Sequence, residues 1–336
     1  MNIGGVDLDR EVLVVAEIGN NHEGDIGLAE TLIGLAAEAG AQAVKFQSIA
    51  PEQLVAPDQP ARLAQLRRFA LSQEDHQRLA RSAKEVGVLF LSTPFSLRWI
   101  EPLAALCPAL KIASGDNDFL PLLAAAAQTG RPILLSTGMT DLGGVMRAVT
   151  MIETAWSERG IDDAGLVLMH CVSAYPTPPE QANLSVLTEL ATLSRPLGYS
   201  DHTQGIAAAV LAVALGARVI EKHFTISKAH SSFRDHQLSA DPAELRELVL
   251  RVREAQTLLG DGRKRLMPAE RDTAVAARRS IVAARDLPAG HMLDLSDLTW
   301  LRPGGGLHPG QENRLIGRSL ARGVVAGHPF ATADLD

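Results

Sequence analysis

The sequence of 336 residues contains little of several residue types, and each shortage excludes a class of protein. Its only two cysteines, Cys107 and Cys171, show no metal-ligand spacing and predict a reducing, cytoplasmic setting instead of a disulfide scaffold. Acidic residues outnumber basic ones to give a formal charge of −7, which disfavours a nucleic-acid partner. No apolar run approaches the roughly 18 residues of a membrane span, and the N-terminus lacks the pattern of a signal peptide.

Short apolar runs alternate with longer helical patterns from residue 12 to about residue 258. Continuous runs rich in β-branched residues are typical of strands buried on both faces of a parallel sheet. Eight such runs are present: VLVVAEIG (12–19), AQAVKFQ (41–47), GVLFLSTPF (87–95), ALKIASG (109–115), PILLSTG (132–138), GLVLMHC (165–171), PLGYSD (196–201) and ARVIEKHF (217–224). The segments between them are rich in alanine and leucine, as in 27–40 and 205–217, and therefore predict helices.

Helix boundaries are marked by capping residues and glycines. Ser72 with Asp75 predicts a capping box, and Gly40, Gly87 and Gly216 stand where helices would end. Eight strand–helix units in this length predict a (β/α)8 TIM barrel. The competing doubly wound sheet needs a glycine-rich phosphate turn after the first strand, and EIGNNHEGD does not supply one.

The pattern changes after the last barrel helix. We predict a barrel domain over residues 1–260, a polar linker over 261–276 and a small β-rich domain over 277–336. A domain of that size is marginally stable alone, so we expect it to pack on something else. We find no internal repeat.

Polar residues follow almost every predicted strand. TIM-barrel chemistry lies at the C-terminal strand ends, where this chain has Glu17, Lys45, Gln47, Ser92, Thr93, Lys111, Ser114, Ser136, Thr137, His170, Ser173, Tyr175, Ser200, Asp201, His202, Glu221, Lys222 and His223. Lys45 and Lys111 directly follow apolar residues, and a buried lysine needs an anion. Together with nearby serine hydroxyls they predict a phosphate site.

His202 and His223 end two consecutive strands, which are neighbours in a barrel. Two neutral imidazoles with open positions for water and substrate suit a catalytic divalent ion such as Mn²⁺ or Mg²⁺. A closed structural zinc site would need four ligands. The alternative interpretation is that both histidines are ordinary core residues. Their spacing favours metal binding over that alternative.

The motifs AEIGNNHEG, VKFQ, FLSTPF, KIASGD, LLSTGM, HCVSAYPTPPEQANL, GYSDHT and EKHF resemble the sialic acid synthase family. These enzymes condense phosphoenolpyruvate with an N-acyl hexosamine to give a nonulosonic acid. The tail resembles the C-terminal antifreeze-like (SAF) domain of that family, with RRSIVA, AGHML, LRPGGGL and IGRSLARGVVAGHPF. The resemblance covers nearly the whole chain and implies a TIM barrel followed by an SAF domain at 277–336.

The resemblance also implies residue roles. The implied catalytic residues are Glu17, His202 and His223. Glu17 would act in proton transfer, and both histidines would bind a metal ion. We expect Mn²⁺, with Mg²⁺ or Co²⁺ as alternatives. The implied contacts to phosphoenolpyruvate are Lys45, Thr93, Lys111, Ser114, Ser136, Ser173 and Ser200. The implied sugar contacts are Asp116, Tyr175, Asp235 and Arg302.

In the family, the tail domain comes from the partner chain of a domain-swapped dimer. The resemblance therefore implies a homodimer in which Arg302 completes the site of the other subunit. In the implied reaction, C3 of phosphoenolpyruvate attacks the open-chain aldehyde of the sugar. Phosphate then leaves by C–O cleavage.

Several positions on the sugar side depart from the family pattern. Asp116 stands where relatives commonly have Glu, Ser173 where some have Asn, and SKAHSSFRDH replaces Gly-Pro-Asp near Asp235, while residues 51–100 contain no asparagine. N-acetylmannosamine and modified hexoses that lead to legionaminic or pseudaminic acid therefore remain open as acceptors.

Two further alternatives remain. The first is condensation of phosphoenolpyruvate with a phosphorylated aldose, for which Arg67, Arg68 and Arg98 could supply charge, but the SAF tail argues against it. The second is a non-catalytic relative associated with polysaccharide or spore coat. The presence of Glu17 and both histidines argues against that alternative.

Overall fold

The computed structural model describes residues Met1–Asp336, which divide into two compact units, Met1–Gly260 and Asp261–Asp336. The first unit contains eight parallel strands: β1 Leu13–Gly19, β2 Ala43–Ser48, β3 Leu89–Pro94, β4 Leu110–Ile112, β5 Ile133–Ser136, β6 Leu166–His170, β7 Leu197–Asp201 and β8 Ala217–His223. The hydrogen-bonded order is β3-β2-β1-β8-β7-β6-β5-β4, and β3 also lies against β4. The ring is therefore nearly closed, and the predicted TIM barrel is confirmed.

Helices separate the strands as the sequence predicts. They are α1 Ile26–Glu38, α2 Pro51–Leu54, α3 Pro60–Phe69, α4 Gln73–Glu85, α5 Ile100–Leu106, α6 Leu120–Gln128, α7 Leu142–Glu158, α8 Val186–Leu190, α9 Ala207–Ala214, α10 Arg234–Leu238 and α11 Pro242–Leu259. The predicted capping box at Ser72 and Asp75 starts α4. Gly87 follows that helix with φ +78°, a left-handed conformation that side chains disfavour. No helix is long and apolar enough to cross a bilayer.

Alternation along the strands produces two apolar layers. Outward residues such as Val14 and Ile18 pack with the helices, whereas inward residues such as Leu13, Val15 and Val219 fill the barrel. The inward positions nearer the C-terminal strand ends are instead polar: Glu17, Lys45, Thr93, Lys111, Ser136, Ser200 and Glu221. The barrel therefore has an apolar floor below a buried polar layer.

The second unit contains a short antiparallel pair, β9 Ser280–Ala283 and β10 Leu298–Leu301. Its apolar core includes Ile281, Leu293 and Phe330. Within residues 261–276, which the sequence predicts to be a linker, helix α12 (Arg271–Ala277) begins. The Val275 carbonyl of this helix accepts a hydrogen bond from Gly304 N at 2.7 Å.

This unit contains an internal repeat. The interpretation that the sequence has no internal repeat was therefore wrong. ARDLPAGHMLDLSDL (284–298) and ARGVVAGHPFATADL (321–335) share A-R, A-G-H and D-L at matching positions. Gly290 N donates to Leu320 O at 2.7 Å, and Gly327 N donates to Ala283 O at 2.8 Å. Leu287 and Val324 exchange both backbone hydrogen bonds, each at 2.9 Å. The two halves are therefore related by an approximate twofold axis between Leu287 and Val324.

Each half holds its turn with one buried aspartate. Asp297 accepts hydrogen bonds from Arg285 at 2.7 Å and contacts His291 Nε2 at 2.8 Å. Asp334 repeats the arrangement with Arg322 at 2.7 Å and His328 at 3.1 Å. Burial alone would raise the pKa of each aspartate, but these contacts and the backbone hydrogen bonds hold both below the ordinary range.

Replacing Asp297 or Asp334 by asparagine is expected to destabilise the second unit by about 2 kcal/mol, because charge-assisted hydrogen bonds are lost. The pKa of each aspartate is lower in the folded protein than in the unfolded chain. The carboxylate therefore contributes its full stability at pH values above the unfolded pKa. This stability is lost as the pH falls through the folded pKa. Thermal unfolding from pH 7 to pH 3 would measure both effects, with exposed Asp272→Asn as control. Unchanged melting in both variants would contradict the assignment.

Candidate active site

A cavity of about 300 Å³ at the C-terminal end of the barrel, here called the inner cavity, collects most of the predicted residues. Its lining includes Glu17, Lys45, Thr93, Lys111, Ser114, Ser136, Ser173, Tyr175, Ser200, His202 and His223. Asp116, Asp235 and Arg302 do not line it. The predicted residues therefore come from eight consecutive strand ends or the loops after them.

Glu17, Lys45 and Glu221 form a buried charge network on neighbouring strands. Lys45 Nζ lies 2.8 Å from Glu17 Oε2 and 3.8 Å from Glu221 Oε2, and it donates to Thr93 Oγ1 at 3.0 Å. Ser200 Oγ donates to the second oxygen of Glu221 at 2.8 Å. Lys45 is therefore already neutralised by protein carboxylates, whereas the sequence predicts it to bind phosphate.

The two carboxylates of this network differ in proton affinity. Burial raises the pKa of Glu17 to about 7, and Lys45 offsets this only in part because Glu221 opposes a second negative charge. Burial would also raise the pKa of Glu221, but Lys111 and Lys45 lower it to about 2. Glu17 is therefore the member of the pair that can take up and release a proton near neutral pH.

Lys111 has no carboxylate within salt-bridge distance. Its ammonium group donates to Ser136 Oγ at 2.6 Å and to Ile112 O at 3.1 Å, and the residue is 3% exposed. Burial lowers its pKa, Glu221 offsets this only in part, and the positive charge of Lys45 lowers it further. A buried ammonium that lines a cavity with no carboxylate in contact favours an anionic ligand there.

A small residue lets three polar side chains meet beside Lys111. A side chain on Gly138 would lie 2.7 Å from Ser173 Oγ, 2.8 Å from Ser114 Oγ and 3.0 Å from Cys171 Sγ. Gly138 N instead donates to Ser114 Oγ at 3.1 Å. Hydroxyls and a backbone amide near an ammonium group are the groups that bind phosphate or carboxylate oxygens.

His202 and His223 lie side by side with ring centroids 5.5 Å apart. His202 Nδ1 is 2.8 Å from Val172 O, which can only accept, so Nδ1 carries the proton and Nε2 keeps its lone pair. His223 Nδ1 is buried without a hydrogen-bond partner. Burial lowers the pKa of both, that of His223 well below the ordinary value with His202 contributing. Neutral imidazoles with available lone pairs fit a divalent metal ion.

A second cavity of about 670 Å³, here called the outer cavity, shares Gln47, Tyr175 and His223 with the inner one. Its other lining residues are mostly polar: Asn20, Glu23, Arg62, Gln65, Arg68, Phe69, Ser232, Phe233, Arg234 and Asp235. The predicted sugar contacts Tyr175 and Asp235 thus meet there. A larger polar chamber that opens beside a small charged one suits a second, bulkier substrate.

Some predicted or alternative residues lie elsewhere. Asp116 lines neither cavity, and burial together with Asp118 raises its pKa. Arg302 belongs to the second unit. Of the arginines considered for a second phosphate, Arg67 pairs with Glu52 and Arg98 lies over the ring of Trp99, so only Arg68 lines the outer cavity.

Sequence reasoning gave no site role to several residues that the structure brings into the cavities. Glu221 lies two residues before His223 and therefore faces the same side of β8, which is the signal that could have identified it. Gln47 joins the cavities, since it donates to Glu17 at 3.1 Å and accepts from Asn20 at 2.9 Å. Arg62 and Arg234 come from segments with no strand-end signal.

A buried ion pair lies on the opposite face of the same two strands. Lys222 Nζ donates to Asp201 Oδ2 at 2.8 Å, and both residues are at most 1% exposed. Lys222 immediately precedes His223, and Asp201 immediately precedes His202. The pair therefore joins β7 and β8 next to both imidazoles.

A separate group of three residues can also hold a metal ion. Ligand atoms of Glu23, His230 and His236 all lie within 4.8 Å of one another. None of the three lines the inner cavity.

Comparison with known proteins gives consistent matches over the chain. A model of the NeuB family matches residues 32–264, and a model of the SAF domain matches residues 278–336. An N,N'-diacetyllegionaminic acid synthase from Legionella pneumophila is 39% identical over 94% of this chain and 92% of its own.

Two solved structures are similar as well. An N-acetylneuraminic acid synthetase from Leptospira borgpetersenii has 32% identity and a TM-score of 0.75, covering 81% of this chain and 94% of its own. A spore coat polysaccharide biosynthesis protein from Bacillus subtilis has 31% identity and a TM-score of 0.64, covering 97% and 95%.

Proposed function

This chain belongs to the NeuB family and carries a C-terminal SAF domain, and from that premise we propose that it condenses phosphoenolpyruvate with an N-acyl amino sugar. The enzyme is a transferase of the nonulosonic acid synthase type. One observation carries the proposal: Lys111 is a buried cation without a carboxylate partner in a cavity that also holds two neutral imidazoles. Phosphoenolpyruvate supplies the missing anion.

The residues of the inner cavity account for binding and proton transfer. Lys111, Ser114 and Ser136 bind the oxygens of phosphoenolpyruvate. A carbon–carbon bond then forms between C3 of phosphoenolpyruvate and the aldehyde carbon, water adds at C2, and phosphate leaves with its bridging oxygen. Glu17 takes up and releases a proton during this reaction. Its pKa of about 7 means that the protonated and ionised carboxyl forms both exist near neutral pH.

His202 and His223 would hold a divalent ion, for which we expect Mn²⁺. When bound, such an ion supplies Lewis-acid polarisation of an oxygen atom. The protein fixes the ligand geometry itself, because Val172 O orients the His202 ring and the Lys222–Asp201 pair joins the two strand ends.

The outer cavity is the proposed acceptor site. The Legionella relative is named for a product that carries two N-acetyl groups, and phosphoenolpyruvate contains no nitrogen, so both acetamido groups of such a product come from its acceptor. We infer a hexose with two acylamino groups, as in a 2,4-diacetamido sugar. Asn20, Gln65 and Arg62 supply donors for acyl oxygens.

A phosphate-release screen tests this function. Phosphoenolpyruvate and Mn²⁺ are incubated with the enzyme and with N-acetylmannosamine, its 6-phosphate or a 2,4-diacetamido hexose. We expect release only with an acceptor, and fastest release with the diacetamido sugar. Release with no acceptor present, or with none of the three, would contradict the proposal. Fastest release with the 6-phosphate would favour the phosphorylated acceptor instead.

The proposed assembly is a domain-swapped homodimer in the cytoplasm, and both cysteines are free thiols, as a reducing compartment requires. In this assembly Arg302 of one subunit contacts the acceptor bound to the other. Arg302→Ala is expected to raise the KM for the acceptor roughly tenfold, because one charged hydrogen bond is lost, while the KM for phosphoenolpyruvate stays constant. Exposed Arg318→Ala in the same unit is the control. Equal acceptor kinetics in both variants would exclude this role.

A further inference from the structure

Glu23, His230 and His236 present a carboxylate oxygen and two imidazole nitrogens to one another, and the condensation uses none of them. Glu23 follows β1, whereas both histidines follow β8. We propose that these three side chains form a second metal site, separate from His202 and His223. Two imidazoles and one carboxylate suit a borderline divalent ion such as Zn²⁺, Co²⁺ or Ni²⁺.

His236 carries the argument because it is fully buried and held at both ring nitrogens. Its Nδ1 lies 2.6 Å from Thr225 Oγ1, and its Nε2 lies 3.2 Å from Glu23 Oε1. The Thr225 hydroxyl also reaches Ser227 O at 3.1 Å. When that hydroxyl donates to the carbonyl, His236 Nδ1 donates to Thr225, and Nε2 directs a lone pair at the carboxylate. In that tautomer both atoms are acceptors, and a cation between them satisfies both, whereas in the other tautomer Nε2 donates to Glu23 directly.

The distances suit a metal ion in that position. Ligands at about 2.0–2.1 Å from a tetrahedral zinc ion lie roughly 3.3 Å from one another, close to the 3.2 Å between His236 Nε2 and Glu23 Oε1. Thr225 holds the other ring nitrogen of His236, as oxygen groups usually do for metal-bound histidines. His230 is exposed, and its ligand atom lies within 4.8 Å of those of Glu23 and His236, so it is the third ligand of the proposed site.

Glu23 is oriented for this role by its own contacts. Arg68 Nη2 binds its other oxygen at 3.0 Å, and Ser231 Oγ donates to Oε1. Its backbone has φ +48°, a left-handed conformation that is costly for a residue with a side chain. Such strain is typical of functional positions, and here it directs the carboxylate toward the histidines.

Occupancy would affect the outer cavity. Glu23 lines that cavity, and so do Ser232 and Phe233, which lie two and three residues after His230 in the chain. A bound ion therefore joins the loop after β1 to the loop after β8 and fixes one wall of the cavity.

The test uses the full-length His202→Ala/His223→Ala variant, so that the inner pair contributes no binding and the result is independent of catalysis. Co²⁺ alone is added, and its visible absorption is recorded. We expect one equivalent to bind with the strong bands of a four-coordinate ion. Adding His230→Ala is expected to weaken binding by at least about tenfold, and adding His236→Ala by about 100-fold or more.

Two features keep this test decisive. His230 is exposed, so its removal does not disturb folding, whereas His236→Ala is interpreted only if its thermal melting matches the parent variant. His308→Ala, an exposed histidine of the second unit, is the matched control and should leave Co²⁺ affinity unchanged. The proposal is overturned if the parent variant binds no Co²⁺, or if His230→Ala and His308→Ala bind it equally well.

Discussion

Replacing His202 or His223 by alanine is expected to abolish phosphate release, with kcat lowered at least about 1,000-fold. Loss of either imidazole removes one of two protein nitrogens from the proposed metal site, and the Lewis acid is worth several kcal/mol of transition-state stabilisation. The initial rate of phosphate release and the EPR spectrum of added Mn²⁺ should change together. The free-ion spectrum is expected to persist in both variants.

A matched control separates the metal from general damage. His308→Ala, in the second unit, should keep both the rate and the bound Mn²⁺ spectrum. EDTA followed by gel filtration should stop the native enzyme, and added Mn²⁺ should restore it. A native enzyme that keeps its full rate after this treatment would show that the two histidines do not act through a metal.

Replacing Lys111 by methionine is expected to raise the KM for phosphoenolpyruvate roughly 100- to 1,000-fold. The ammonium group has Ser136 and a backbone carbonyl as partners but no carboxylate, so the bound anion loses its main charged donor. Methionine retains the length of the side chain and removes a buried charge whose pKa burial lowers. The melting temperature is expected to fall, because Lys111 also helps to keep the buried Glu221 carboxylate charged, so the rise in KM is the measurement that assigns the anion site.

Lys45→Met provides the contrast because its ammonium group pairs with Glu17 and Glu221. Its removal leaves Glu17 without its counter-charge and takes away one of the two lysines that stabilise the Glu221 carboxylate, so about 3–5 kcal/mol of stability should be lost. Comparing the KM for phosphoenolpyruvate in the two variants distinguishes a ligand-binding lysine from a structural one. An unchanged KM for phosphoenolpyruvate in Lys111→Met would contradict the proposed anion site.

The barrel could be predicted from the sequence because its strands are buried on both faces and read as uninterrupted apolar runs. Each of the eight runs overlaps one strand of the structure, and the capping residues mark α4 correctly. The repeat in the second unit is short, and its shared residues are separated by positions that differ between the two halves. Their relation rests on hydrogen bonds between segments distant in sequence, such as Gly290 with Leu320 and Gly327 with Ala283.

Most candidate site residues could be found because strand ends converge in a TIM barrel. The contacts of each strand-end side chain could not be predicted, because they depend on residues that are distant along the chain. The sequence treats Lys45 and Lys111 alike, yet only Lys45 meets Glu17 and Glu221. The outer cavity draws Arg62 and Arg234 from segments whose positions follow from packing, not from local pattern.

The ion pair between Lys222 and Asp201 has a consequence for how this chain can be altered. A single residue inserted or deleted within β8, between Val219 and Glu221, would exchange the two faces of the strand beyond it, moving Lys222 into the cavity and turning Glu221 and His223 toward the helices. Asp201 would then be buried without its lysine partner, and it would have to take up a proton to lose its charge. Changes of length inside β8 should therefore preserve residue parity, whereas the loop before the strand can absorb a change of length without shifting the register.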